Sequence, residues 1–302
     1  MENPVVQTAA SAPALRDYVQ LLRPQQWVKN LFIFLPLFFS LRLGELELVA
    51  KALVAFAAFC LASSAVYILN DIRDIDADSL HPKKRHRPLA AGIVSKPAAM
   101  RIMAALLVAG LAVSWSLGPA MIGLVLLYLA LNWAYSIKLK HIPVIDTFIV
   151  AAGFVIRIFA GGVVTDTKIY MWIVIMTFLL ALFIALAKRR DDVKLYLESD
   201  VKVRKAIDGY NLTFIDSAMM IMAAVTIVSY IMYTVSADVV AKFQTDKLYL
   251  TTAFVVLGIL RYMQITFVEN EGGAPTEVLL KDRFLQLCIL GWLLAFTVLI
   301  YL

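Results

Sequence analysis

An α-helix needs about 20 apolar residues to cross the hydrocarbon core of a bilayer. This chain carries nine stretches of about that kind, near residues 27–43, 48–69, 98–116, 119–137, 143–163, 169–187, 213–235, 248–267 and 284–302. With 62% hydrophobic and 17% charged residues in 302, an ordinary soluble domain is excluded. The expected fold is all-α: a polytopic membrane protein with nine transmembrane helices. Pro36, inside the first span, should bend it, whereas Pro24, Pro119 and Pro143 sit at or near span starts, where a missing amide hydrogen costs least. Gly153, Gly161 and Gly162 in the fifth span suit close helix packing. The first residues lack the basic-then-apolar layout of a signal peptide, so no cleavage is expected. Residues 1–20 read as a cytoplasmic tail and 21–302 as one transmembrane domain.

Loop cations are unevenly placed. The connections after even-numbered spans carry Arg73, Lys83, Lys84, Arg85, Arg87, Lys138, Lys140, Lys188, Arg189, Arg190, Lys194, Lys202, Arg204, Lys205, Lys281 and Arg283, while those after odd-numbered spans hold little beyond Arg42, Lys168, Lys242 and Lys247. The positive-inside bias then puts the N-terminus and four charged loops in the cytoplasm and the C-terminus outside. The net charge of +6 is met by anionic lipid and requires no nucleic acid. Cys60 and Cys288 lie in separate apolar runs and read as buried thiols; three scattered histidines make a zinc site a poor expectation. Neither a Walker A sequence nor a GxGxxG fingerprint occurs.

The second span ends in Asn70 to Gly92, NDIRDIDADSLHPKKRHRPLAAG. If the helix continues past the bilayer, Asp71, Asp74 and Asp78 share one face at i, i+3 and i+7, Asn70 sits one turn before Asp74, and Asp76 points away. Carboxylates so close repel one another unless a cation binds, and hard oxygen donors suit Mg²⁺ carrying a diphosphate. A solvated helix end is the plainer alternative, but ionisable groups at a membrane boundary are costly and favour a functional reading. The basic run that follows, including Lys83, Arg85 and Arg87, either anchors the loop or grips phosphate. Arg157 lies deep in the fifth span and should face the bundle interior and a negative partner, either an Asp or a substrate phosphate.

The pattern Asn70-Asp71-x-x-Asp74-x-x-x-Asp78, with its HPKKRHRPLAAG continuation, resembles the NDxxDxxxD motif of the UbiA superfamily of intramembrane prenyltransferases. Several stretches are similar to its decaprenyl-phosphate phosphoribosyltransferase branch: LRPQQWVKN at 22–30, YSIKLK at 135–140 and on through Asp146, Gly153-Phe154-x-x-Arg157, KRRDD at 188–192 and EGGAPTE at 271–277. The resemblance implies a UbiA-like helical bundle in a bacterial plasma membrane. It also implies transfer of 5-phosphoribose from 5-phosphoribosyl diphosphate (PRPP) to a polyprenyl phosphate.

By that resemblance Asp71, Asp74 and Asp78 would hold Mg²⁺, with Mn²⁺ as a substitute ion, and Asn70 would assist. Arg23, Lys29 and Asn30, otherwise interfacial anchors, would contact a substrate phosphate, as would Lys83, Arg85, Arg87 and Arg157. Tyr135 and Lys140 match the branch's YSxxLK layout, with Lys138 in reserve. Lys188, Arg189 and Asp192 would complete the donor site, Asp192 standing where the branch usually has Glu. Phe148, Phe154 and Phe159 would line the prenyl groove. The nearest rival is an aromatic prenyltransferase with a prenyl diphosphate donor; a transporter fits less well, because charge clusters on one face. Self-association into a homo-oligomer stays open.

Overall fold

A computed structural model of the chain describes residues 13–80, 84–199 and 205–301. Among these there are helices and turns and no strands. A short α1 (Leu15–Leu22) precedes a 3₁₀ stretch (Pro24–Phe34) and α2 (Leu35–Phe39). Next come α3 (Leu46–Arg73), α4 (Ile75–Leu80), α5 (Lys96–Trp115), α6 (Pro119–Ile137) and α7 (Ile145–Val164). The second half comprises α8 (Met171–Ser199), α9 (Leu212–Val235), α10 (Ala237–Phe243), α11 (Thr252–Gln264), α12 (Pro275–Lys281) and α13 (Arg283–Tyr301). A π-helical turn, Ile265–Glu269, extends α11.

Among the described residues, eight helical segments are long and apolar enough to cross a membrane. The ninth expected crossing, the first in the chain, takes a different form. Its eleven 3₁₀ residues rise about 2.0 Å each and the five of α2 about 1.5 Å each, so together they reach roughly 30 Å, the thickness of the hydrocarbon core. Contacts at both ends agree with a crossing: Arg23 pairs with Asp71 near the end of α3, whereas Arg42 donates to Thr165 O just past the end of α7, at 3.2 Å. Pro36 sits in the first turn of α2, where the 3₁₀ path changes to α.

α3 and α7 form the interior. Alanines 52, 55, 58, 62 and 65 of α3 are almost fully buried, and small side chains of this kind allow close approach where no hydrophobic effect drives helices together. On α7 the closest approach is at Gly161, where a Cβ would lie 2.0 Å from Ile33 O. Only glycine lets the 3₁₀ backbone lie against that helix. Phe59, Met121, Val125 and Ile156 join these elements in one core cluster, and a second cluster ties α8, α9, α11 and α12 around Phe183, Ile215 and Met219. Both cysteines are buried thiols, as expected.

Candidate active site

At one end of the bundle α3 delivers Asp71 and stops two residues later. Asp74 caps it, its amide still bonded to Asn70 O at 3.0 Å, and the Asp78 amide bonds Asp74 O at 2.7 Å, so α4 resumes after a one-residue break. The expected uninterrupted acidic face is therefore split. Asp71 and Asp78 are buried and meet at one guanidinium: Arg87 Nη1 lies 3.2 Å from Asp71 Oδ1 and 2.5 Å from Asp78 Oδ2. Arg23, held in left-handed backbone between α1 and the 3₁₀ stretch, also bridges to Asp71. Asp74 turns elsewhere, to Lys140 Nζ at 2.5 Å. Asn70 accepts from Ser136 Oγ, fastening α3 to α6, and Asp76 is exposed.

The donor set suits a hard divalent cation, since all groups are carboxylate oxygens. Among the described residues no three acidic, imidazole or thiol groups stand ready as a cage. The reason is visible at Arg87, whose nitrogen occupies the point where Asp71 and Asp78 converge.

Deeper in the bundle lies a second group of cations. A 3₁₀ helix has three residues per turn, so residues three apart lie one above another. Arg23, Gln26 and Lys29 form one such stripe, and all three reach Tyr67 on α3: Arg23 stacks 5.2 Å from the ring centre, and Gln26 and Lys29 approach its hydroxyl at 3.5 and 3.4 Å. Trp27, Asn30 and Ile33 form the next stripe. Trp27 donates to Ser64 Oγ at 3.0 Å, and Ile33 meets Gly161. Asn30, fully buried, donates to Cys60 Sγ and Ser63 Oγ and accepts from Arg157 Nε at 2.7 Å.

Arg157 is 5% exposed; besides Asn30 it donates to Gly153 O at 2.7 Å and Tyr128 OH at 3.3 Å, and its guanidinium lies 4.8 Å from the Tyr128 ring centre. It faces the interior as expected, but the negative partner is missing: among the described residues neither Arg157 nor Lys29 makes an ion pair. Phe154 stands beside Arg157, while Phe148 and Phe159 are exposed on the outside of α7.

A third cluster gathers around Arg189. Arg189, 2% exposed, bridges to Asp146 at the start of α7 and to Asp192 one turn on, and donates to Tyr135 OH at 3.2 Å. Tyr210 donates to Asp146 Oδ1 at 2.6 Å and accepts from the Val144 amide at 2.6 Å. Val144 sits at φ 68°, and Ile145 N bonds Pro143 O at 2.8 Å, a γ-turn strained for a β-branched residue and braced by that phenol. Burial and the Asp146 carboxylate push the Tyr210 phenol up to about 12. A raised folded-state value stabilises the fold fully below the ordinary value near 10, and this contribution is lost as pH rises through about 12. Tyr210→Phe should therefore flatten the fall in melting temperature between those limits, measured by a pH series of thermal unfolding.

The other expected contacts divide as follows. Lys140 is buried and Lys138 exposed, so Lys140 is the lysine at the aspartates. Arg85 and Lys188 are exposed, Arg85 bonding only its neighbour His86 among the contacts described. Lys83 lies outside the described residues. Tyr67, Tyr128 and Tyr210 escaped the sequence reading, and Ser136 and Asp146 entered it only as part of a resembling stretch, with no role of their own. Asp146 was within reach of it: a carboxylate at the very start of an apolar span carries the same cost signal that singled out Arg157.

Residues 31–288 match the UbiA prenyltransferase family, and the chain belongs to that family. It is 34% identical to the decaprenyl-phosphate phosphoribosyltransferase of Mycolicibacterium smegmatis, covering 91% of this chain and 89% of that protein. To the protein of the same name from Mycobacterium tuberculosis it is 33% identical, covering 95% of each. A solved UbiA homolog from Archaeoglobus fulgidus, bound to GPP and Mg²⁺, superposes with a TM-score of 0.67 at 18% identity over 95% of this chain and 100% of that one. That likeness shows the fold.

Proposed function

We propose that this chain is a Mg²⁺-dependent membrane transferase that moves 5-phosphoribose from PRPP to a polyprenyl phosphate and releases diphosphate. It does so as one catalytic domain, residues 21–302, with the aspartate end cytoplasmic, the C-terminus outside and the chain in a bacterial plasma membrane. The name carried by relatives about a third identical over most of the chain supports the substrates. The observation that carries the reading is Arg157, a buried cation with hydrogen bonds but no carboxylate, placed below a mouth lined with carboxylates. A single-anion site needs one of these features; a site for two anionic substrates needs both.

Asp71, Asp74 and Asp78 would hold Mg²⁺, which when bound supplies charge neutralisation at the diphosphate. Arg23, Arg87 and Lys140, now on carboxylates, would turn to phosphate oxygens. Lys29 and Arg157 would hold the lipid phosphate with an oxygen directed at ribose C1. The C1–O bond to diphosphate breaks as the bond from the lipid phosphate oxygen forms, and the ribose becomes oxocarbenium-like between them. Because nucleophile and leaving group are both anions already, no general base is needed; positioning and charge compensation do the work. Asp146, Asp192, Tyr135 and Tyr210 keep Arg189 and the start of α7 in place.

The test is a purified-protein assay with labelled PRPP and polyprenyl phosphate. Label should move into the lipid fraction only with divalent metal present. Prenylation of an aromatic acid from a prenyl diphosphate, with no sugar lipid formed, would overturn the assignment.

A further inference from the structure

Far from the aspartates, at the other end of α7, the structure has a second cationic place that the transfer reaction does not use. Twenty residues of α7 separate the two ends, a rise of about 30 Å. There an open cavity lies between α2, the loop before α8, α8, the end of α9 and α10. Its walls are apolar and aromatic, including Phe39, Trp172, Met176 and Phe243. At its edge two lysines converge on one ring: Lys242 Nζ lies 4.3 Å and Lys168 Nζ 5.5 Å from the centre of Tyr170.

We propose that this cavity binds the headgroup of an anionic phospholipid from the leaflet opposite the aspartate site.

Three observations carry it. Two like charges gathered around one ring repel, and among the described residues neither lysine makes an ion pair, although Asp238 lines the same cavity. Burial of Lys242 lowers its ammonium from the ordinary lysine value, a cost that no carboxylate offsets. Finally, this side is sparsely charged, so their convergence is not a by-product of a basic surface; of the other cations there, Arg42 is engaged by Glu45 at 2.6 Å and Lys51 by Glu47 at 2.7 Å. A phosphodiester between the two ammonium groups relieves the repulsion, with its acyl chains along Trp172 and Met176 and Tyr170 at headgroup depth. A soluble anion would leave the apolar wall unused. The proposal does not depend on which group the active site transfers.

The full-length protein is placed in nanodiscs of dioleoylphosphatidylcholine alone or mixed equally with dioleoylphosphatidylglycerol. Acylation of individual lysines by an amine-reactive reagent is then read by peptide mass spectrometry. Lys168 and Lys242 should label about fivefold more slowly when phosphatidylglycerol is present, while Lys247 on the same side changes little. Native mass spectrometry of the extracted protein should show retained phosphatidylglycerol, lost in the K168Q/K242Q double variant and kept in K168R/K242R. Equal protection of Lys247, no protection in the wild type, undiminished retention in the glutamine variant, or displacement by an equal concentration of inorganic phosphate would each overturn it. The wild-type footprint decides the matter even if the double variant fails to fold.

Discussion

Asp71→Asn should lower phosphoribosyl transfer by about 10²–10³-fold while the protein still folds. Asp71 is 3% exposed and receives both Arg23 and Arg87, so it is the carboxylate on which the cations of the mouth depend. Asparagine keeps the shape and an acceptor oxygen, and Arg87 keeps Asp78, so the local fold survives. What is lost is one unit of negative charge where a divalent ion would be held. The matched control is Asp76→Asn, an exposed carboxylate of the same segment that touches none of these groups. Turnover of labelled PRPP, with melting temperatures compared in parallel, separates the two variants. Equal activity in both would remove Asp71 from the reacting centre.

The acidic motif was legible in the sequence because its residues lie within nine positions and bear a cost visible in one dimension: charge at a membrane boundary. The same reasoning found Arg157. Hidden from it was the backbone that brings Asn30 and Lys29 to their partners. An apolar run of the length near residues 27–43 reads as α-helix, and on an α-helix residues three apart drift by about 60°. The observed 3₁₀ path keeps Arg23, Gln26 and Lys29 in line on Tyr67, and its tolerance depends on a glycine more than 120 residues away, Gly161, against Ile33 O. Likewise the break at Asp74, which sends that residue to Lys140 rather than to Arg87, follows from tertiary pairing and not from any Gly or Pro in the motif. The third cluster was half read: Arg189 and Asp192 are one turn apart on α8, but Asp146 and Tyr210 reach them from other elements.

Arg189 and Arg157 are both nearly buried arginines among apolar helices, and truncating them should have opposite consequences. Arg189→Met removes a cation shared by Asp146 and Asp192, and breaking a buried pair in this way costs about 3–5 kcal/mol. It also frees the strained turn at Val144 that depends on Asp146 through Tyr210. Melting temperature should fall sharply, and activity with it in proportion to unfolding. Arg157→Met removes a charge that no carboxylate balances, and the methionine fills much of the same space against Tyr128 and Phe59. The losses are charge-assisted hydrogen bonds to Asn30, Tyr128 and Gly153 O, about 1.5–3 kcal/mol each, offset by relief of an uncompensated buried charge that itself costs several kcal/mol. Stability should therefore change little, whereas KM for the lipid phosphate rises at least about tenfold, because the anion that balanced the charge has lost its partner. Thermal unfolding and lipid-dependent kinetics on the two variants check both signs. A destabilised Arg157→Met with unchanged KM would make Arg157 a structural residue and leave the second anion without a site.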